Sequence, residues 1–236
     1  LERGLGAEGR RRAAVFVATS DRPASERLRA ALAATACAEE LRRAGMRVLL
    51  LIDSMTRVAR ALREIGLAAG EPPVRRGFPP SVFASLPRLV ERAGRTREGS
   101  VTALYTVLVE GDDDTADPVA DEMRSLLDGH IVLSRDLAAR GHFPAIDVLR
   151  SKSRVMAAVA GPAQIAHGQR IAARLAKLEE IEILVQVGEY RPGSDPLADE
   201  ALAQREATDA FLRQATAEHS PRAATLAALA QLGQAR

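Results

Sequence analysis

Residues 47–52, RVLLLI, carry an unbroken apolar run with no polar alternation, and a short segment of that kind is stable as a strand covered on both faces. It gives way to Asp53 and then to SMTRVARALREIGLAAG, whose apolar positions recur at helical spacing and which closes on Gly66 or Gly70. The same alternation surrounds this unit. AAVFVAT (13–19) reads as a buried strand ending in the turn-forming SDRP, and residues 25–44 place Leu28, Ala31, Leu32, Thr35 and Ala38 at helical spacing ahead of Gly45. PPSVFASLPRLVERAG reads as a further helix with Pro80 in its first turn, and VTALYTVLV (101–109) and IVL (131–133) as further strands. Apolar strands alternating with helices predict an α/β fold, an open parallel sheet with helices on both faces.

After about residue 158 the strand signals stop. Segments 163–186, 196–216 and 221–233 are rich in alanine and leucine at helical periodicity and predict a small all-helical domain. With 47% hydrophobic residues in 236, the chain has enough apolar material for one ordinary core and an appendage. Its formal charge of +2 demands neither nucleic acid nor an anionic membrane as a partner. No apolar run approaches the roughly 18 residues that span a bilayer, and LERGLGAEGRRR lacks the apolar core of a signal peptide. The single cysteine, Cys37, excludes an intramolecular disulfide and reads as a small apolar residue in a reducing compartment.

In a parallel α/β sheet, ligands bind beyond the carboxyl ends of the strands, where helix N-termini point. Asp53 sits at such an end. A carboxylate there is placed to hold Mg²⁺ directly or through water, as the Walker B aspartate of phosphate-transferring ATPases does. Arg57, one helical turn on, could bring fixed positive charge to the same phosphates. The same aspartate could instead cap the helix that follows, and these residues alone leave both readings open. A Walker B site also needs a P-loop, GxxxxGK[ST], and the chain has none: its two lysines lie in RSKSR and LAKLEE, neither after a glycine. Either the ATPase reading fails, or the phosphate-cradling segment precedes Leu1.

Four stretches decide between these. EIGLAAGEPPVRRGFPPSVFASLPRLVERAG (64–94), GSVTALYTVLVEGDDDTADPVADEMRSLLDGHIVLSRDLAARGHFPAIDVLRSKSRVM (99–156), the run through Asp53 and VGEYRPGSDPLADEAL (187–202) closely resemble the type III secretion ATPases, flagellar and injectisome relatives of the F1 ATPase β subunit. The resemblance covers nearly the whole chain. It implies that residues 1–158 are the C-terminal portion of a RecA-like ATPase domain, lacking the N-terminal strand and P-loop, and that residues 159–236 are a helical C-terminal domain. In that family the P-loop and the water-activating glutamate precede the residues matched here, so the resemblance implies that the chain alone is inactive.

Carried over residue by residue, the resemblance makes Asp53 the Walker B carboxylate and Mg²⁺ ligand, and Arg57 an arginine near the γ-phosphate of ATP. Arg154, in SKSRVM, matches the arginine finger that reaches ATP on a neighbouring subunit. Lys152 stands there where many relatives have a small residue. Phe143, in HFPAID, matches an aromatic that stacks on adenine; spacing alone favours ordinary core packing beside Pro144. Tyr190, in GEYRPGSDP, is expected to add to the same pocket from the helical domain. The loop GEPPVRRGFPP, with Glu71, Arg75 and Arg76, faces the central opening of the ring and a coiled-coil stalk protein; read without the family, it is a solvated turn between helices. The acidic run GDDDTADP (111–118) reads as a solvated loop. His130 and His142 lack the spacing of a helical metal pair, so no structural metal is expected.

The function so implied is that of a homohexameric, ATP- and Mg²⁺-dependent motor in the cytoplasm, at the cytoplasmic face of the inner membrane. It releases chaperones and unfolds secreted substrates, with no nucleic-acid partner. Two alternatives are a non-catalytic ring protein that keeps the interface, and another rotary or hexameric ATPase subunit. DGHIVLSR and EIGLAAGEPP favour the secretion branch.

Overall fold

The computed structural model describes residues 2–109 and 117–234, which divide into two compact units, 1–127 and 128–236. In chain order the first unit contains α1 (Glu2–Arg11), α2 (Ala24–Arg43), β1 (Arg47–Ile52), α3 (Met55–Ala68), α4 (Pro80–Val90), β2 (Gly94–Arg95), β3 (Ser100–Tyr105) and α5 (Pro118–Leu126). β1 and β3 pair in parallel, from Arg47 opposite Ser100 to Ile52 opposite Tyr105, and β2 adds an antiparallel edge to β3.

The expected α/β architecture is present, with a small mixed sheet. Leu50, Ile52 and Val101 point into a core filled by Ala31 and Ala38 of α2, Met55, Val58 and Ala59 of α3, Val82, Leu86 and Leu89 of α4, and Val119 and Met123 of α5. All four helices therefore share the core-facing side of the sheet. On the opposite face Leu49, Leu51 and Leu104 are exposed, so among the described residues of this unit the helical cover is on one side. From Val48 to Ile52 β1 is apolar, as suits a strand with two covered faces, yet it has one of them open here.

The helix ends follow their local chemistry. α2 and α3 stop before Gly45 and Gly70, both in the left-handed region that terminates a helix at least cost. Residues 13–19 do not form the strand expected of them. The segment has no regular secondary structure, pairs with no strand among the described residues, and leaves Val15, Phe16 and Val17 exposed. Its composition suits a strand, but a strand exists only with a ladder partner to satisfy its backbone.

The second unit contains β4 (Gly129–Leu133), α6 (Arg135–Ala139), β5 (Ile146–Ser153), α7 (Met156–Val159), α8 (Pro162–Gln186), α9 (Pro196–Ala203), α10 (Arg205–Leu212) and α11 (Arg222–Gln234). The strand expected at 131–133 is β4, paired antiparallel with β5 rather than joined to the parallel ladder. β5, IDVLRSKS, carries no continuous apolar run and gave no strand signal. The single helix expected over 196–216 is broken at Gln204. α8 is the long support against which α9 and α11 pack. Among the described residues no helix is long and apolar enough to cross a membrane.

Candidate functional site

Asp53 follows the last residue of β1, and its surroundings separate the two readings of its carboxylate. The residue that caps α3 is Ser54, fully buried, whose Oγ accepts from the Arg57 backbone N–H at 3.4 Å. Asp53 is thus not the cap of that helix. Its exposed carboxylate accepts a 2.7 Å hydrogen bond at Oδ1 from the Thr106 hydroxyl, one residue beyond β3. Backbone bonds join the same two segments: Thr106 N–H donates to the Ile52 carbonyl at 3.1 Å, and Met55 N–H donates to the Thr106 carbonyl at 2.8 Å. Thr56 adds a side-chain clasp, accepting from Leu108 N–H at 2.8 Å and donating to the Leu108 carbonyl at 3.1 Å. The carboxyl ends of β1 and β3 are thereby fastened to the first turn of α3.

Arg57 lies on that first turn and is exposed. Among the described residues its guanidinium has no hydrogen-bond or ion-pair partner, so a fixed cation stands one turn from the Asp53 carboxylate. Residues 110–116, which hold most of the acidic run, lie outside the described residues. Asp117 is described, and its carboxylate caps α5 by accepting from Val119 and Ala120 N–H, both at 2.9 Å.

The loop between α3 and α4 is built rather than loose. Val74 and Arg75 N–H donate to the Phe78 carbonyl, and Phe78 N–H donates to the Arg75 carbonyl, which closes a tight turn with Arg76 at its tip at φ 48°. Glu71 accepts the Ser81 N–H at 3.3 Å and so satisfies a donor in the first turn of α4, where Pro79 offers no side-chain cap. Arg75 donates to Asp121 of α5 at 2.7 Å and lies over the Phe83 ring at 5.7 Å. Arg76 is exposed.

In the second unit Phe143 is 56% exposed, so it is not the core residue that its spacing favoured. It lines a shallow, open depression of about 370 Å³ with Gly141, Arg213, Gln214, Ala215 and Glu218. The Gln214 N–H donates to the Phe143 carbonyl at 2.9 Å, which holds the segment after α10 against the segment before β5. Residues 213–218 carried no motif, and only this contact marks them. Tyr190 is not among the lining residues. Its hydroxyl donates to Asp199 at 2.8 Å, whose other oxygen accepts the Gly193 N–H at 2.8 Å. Burial, and then the Asp199 carboxylate, push the Tyr190 phenol above its ordinary value. Arg154 is exposed just past β5, with its N–H donating to the Asp128 carbonyl at 2.7 Å.

Residues 1–153 match the ATP synthase alpha/beta family, nucleotide-binding domain, and residues 160–231 match the T3SS EscN ATPase C-terminal domain. The type 3 secretion system ATPase of Sinorhizobium fredii is 60% identical over 220 residues, which are 93% of this chain and 49% of that protein. The flagellum-specific ATP synthase of Bacillus subtilis is 48% identical over 232 residues, 98% of this chain and 53% of that protein. The chain spans about half the length of the curated relatives it matches. Among solved structures, the assembled ATPase EscN from the enteropathogenic E. coli type III secretion system superposes with a TM-score of 0.89 at 50% identity, covering 92% of this chain and 52% of that one. EscN in complex with its central stalk EscO superposes at 0.85 and 48% identity, covering 92% of this chain and 52% of that one. By the nucleotide-binding match over 1–153 and the secretion-type match over 160–231, the chain belongs to the ATP synthase alpha/beta family, in its type III secretion ATPase branch.

Proposed function

We propose that this protein is an ATP-hydrolysing motor of a type III protein secretion apparatus, which drives chaperone release and the unfolding and export of secreted substrates. The observation that carries the reading is the Asp53 carboxylate at the carboxyl end of β1, held by Thr106 and not used to cap α3. The donor set suits Mg²⁺, which keeps several waters and takes one or two carboxylates together with phosphate oxygens. The lone Asp53 carboxylate, exposed at the strand end, fits a site shared with phosphate oxygens. When bound, the metal neutralises charge on the β- and γ-phosphates. Asp53 would hold it, and Arg57 would supply fixed positive charge at the γ-phosphate.

Phe143, exposed in its shallow depression, would offer an aromatic face to adenine, with Arg213 and Gln214 beside it. Tyr190 would contribute from the helical domain, although its hydroxyl is engaged by Asp199. Arg154 would act as a finger toward ATP on a neighbouring subunit, so that hydrolysis requires a homohexamer. The assembled EscN structure supports the ring, and its complex with EscO supports a central coiled-coil stalk as the partner of the Glu71, Arg75 and Arg76 loop. In this reading the protein works in the cytoplasm at the inner-membrane face of the apparatus, and the RecA-like portion gives way to the helical domain at about residue 158. Residues 1–236 by themselves contain no GxxxxGK[ST] and would not hydrolyse ATP.

The test is Arg154→Ala in the complete protein. An arginine finger contributes about 10³ to 10⁵ in rate, because its charge meets charge developing on the transferred phosphoryl group. Turnover is expected to fall by at least that lower factor while nucleotide binding persists. Unchanged turnover removes Arg154 from the mechanism.

A further inference from the structure

The Asp53 carboxylate is held by the Thr106 hydroxyl. Thr106 is pinned from both sides, with its N–H on the Ile52 carbonyl and its carbonyl on the Met55 N–H. The Thr56 clasp on Leu108 secures the next turn of chain. A β-branched side chain on so constrained a backbone has few rotamers, so the position of its Oγ1 is set by the sheet itself. That hydroxyl has one proton, and it goes to Asp53 Oδ1 at 2.7 Å. Asp53 Oδ2 has no partner among the described residues.

We propose that Thr106 is a positioning residue for the cation site: its hydroxyl fixes the Asp53 carboxylate through Oδ1 and so leaves Oδ2 as the oxygen available to a divalent cation on the nucleotide phosphates. The inference rests on the reading of Asp53 as the metal ligand. A freely rotating carboxylate would lose side-chain entropy on binding, and a hydrogen bond to an ionised acceptor removes that loss beforehand. A purely structural Thr106 would act through its two backbone bonds, which any residue at this position can make.

The experiment measures ADP affinity by calorimetry in the complete protein, with Mg²⁺ and again in EDTA, for wild type, Thr106→Val, Thr106→Ser and Asp53→Asn. Valine keeps the shape and the backbone bonds and removes only the hydroxyl. The Mg²⁺-dependent gain in affinity is expected to fall about tenfold in Thr106→Val, as for one lost charge-assisted hydrogen bond. It should return in large part in Thr106→Ser, which keeps the hydroxyl but loses the β-branch, with the EDTA values of the Thr106 variants unchanged. If Thr106→Val keeps the wild-type gain while Asp53→Asn loses it, the positioning role is overturned and the metal reading stands. If Asp53→Asn keeps the gain, the metal reading falls and this inference falls with it. Were the valine variant not to fold, Thr106→Ser against Thr106→Ala isolates the same hydroxyl.

Discussion

Arg174 and Glu200 join α8 to α9 through a guanidinium that is only 1% exposed: Nε donates to Oε1 at 2.7 Å and Nη2 donates to the same oxygen. The remaining arm, Nη1, donates to the Leu232 carbonyl of α11 at 2.7 Å, so one buried cation ties three helices of the second unit together. Arg170 adds a second cation to Glu200, with Nε at 2.9 Å.

Glu200→Ala should therefore unfold the helical unit far more readily than an ordinary surface substitution. Removing one partner strands a buried charge, at a cost of roughly 3–5 kcal/mol. Replacing both partners by apolar residues, as in Arg174→Met with Glu200→Leu, should recover most of that loss. Urea unfolding followed by circular dichroism checks both. A Glu200→Ala midpoint equal to wild type contradicts the first expectation.

The same pair predicts acid sensitivity. The hydrogen bond from Arg174, opposed by burial and aided by Arg170, holds the Glu200 carboxyl below its ordinary value. A carboxylate with a depressed folded-state pKa contributes stability that is complete above its unfolded value, about 4.3, and is lost as pH falls through the folded one. The stability difference between wild type and Glu200→Gln should be constant near neutrality and shrink as the pH falls below about 4. A difference that persists undiminished at acid pH contradicts this.

Gly233→Ala sets two effects against each other. Alanine in a helix gains about 1 kcal/mol over glycine by propensity. A methyl group at 233 would, however, lie 2.5 Å from His167 Cβ and Nδ1, and a Cβ cannot rotate out of the way. Overpacking of this kind costs roughly 1–3 kcal/mol, so the net effect should be loosening of α11 from α8. Amide exchange over residues 222–234 should accelerate, and His167→Ala, which removes the ring but keeps the Cβ, should restore protection only in part.

Glu71 and Arg75 share a loop but should respond differently. Glu71→Ala removes the acceptor for the Ser81 N–H at the start of α4 and should cost about 1 kcal/mol, the usual worth of a helix cap. Arg75→Ala breaks a solvent-exposed pair with Asp121, worth at most about 1 kcal/mol and often nothing measurable. Thermal melts of the two variants should separate them. If Arg75→Ala weakens stalk binding, its role is then in recognition rather than in holding the loop.

Phe143→Ala should weaken ATP binding and Phe143→Tyr should not. Stacking of a base on an aromatic ring is worth roughly 1–3 kcal/mol, and Phe143 has the exposure to provide it. A fluorescent adenine nucleotide titrated into the complete protein measures the difference. Equal affinities would leave Phe143 with only the Gln214 contact to explain it.

The sequence by itself determined the elements with a strong local signal. β1 and β3 are legible because short runs rich in apolar residues, bounded by turn signals, favour a strand, and α3 and α4 are bounded by a glycine in the left-handed region and a proline in the first turn, which act locally. The carboxylate at the end of β1 was legible for the same reason, since strand ends can be read from pattern. Tertiary structure alone decided what that carboxylate does. In one dimension Asp53 could equally hold a cation or cap α3; in the fold Ser54 caps the helix, and Asp53 meets Thr106, a partner 53 residues away. Likewise, 13–19 has strand composition without a ladder partner, whereas polar-patterned β5 becomes a strand because β4 pairs with it. Propensity is a property of neighbours along the chain. Hydrogen-bond partners, surface contacts such as Gln214 beside Phe143, and the Arg174 cluster are properties of neighbours in space, and those exist only once the chain has folded.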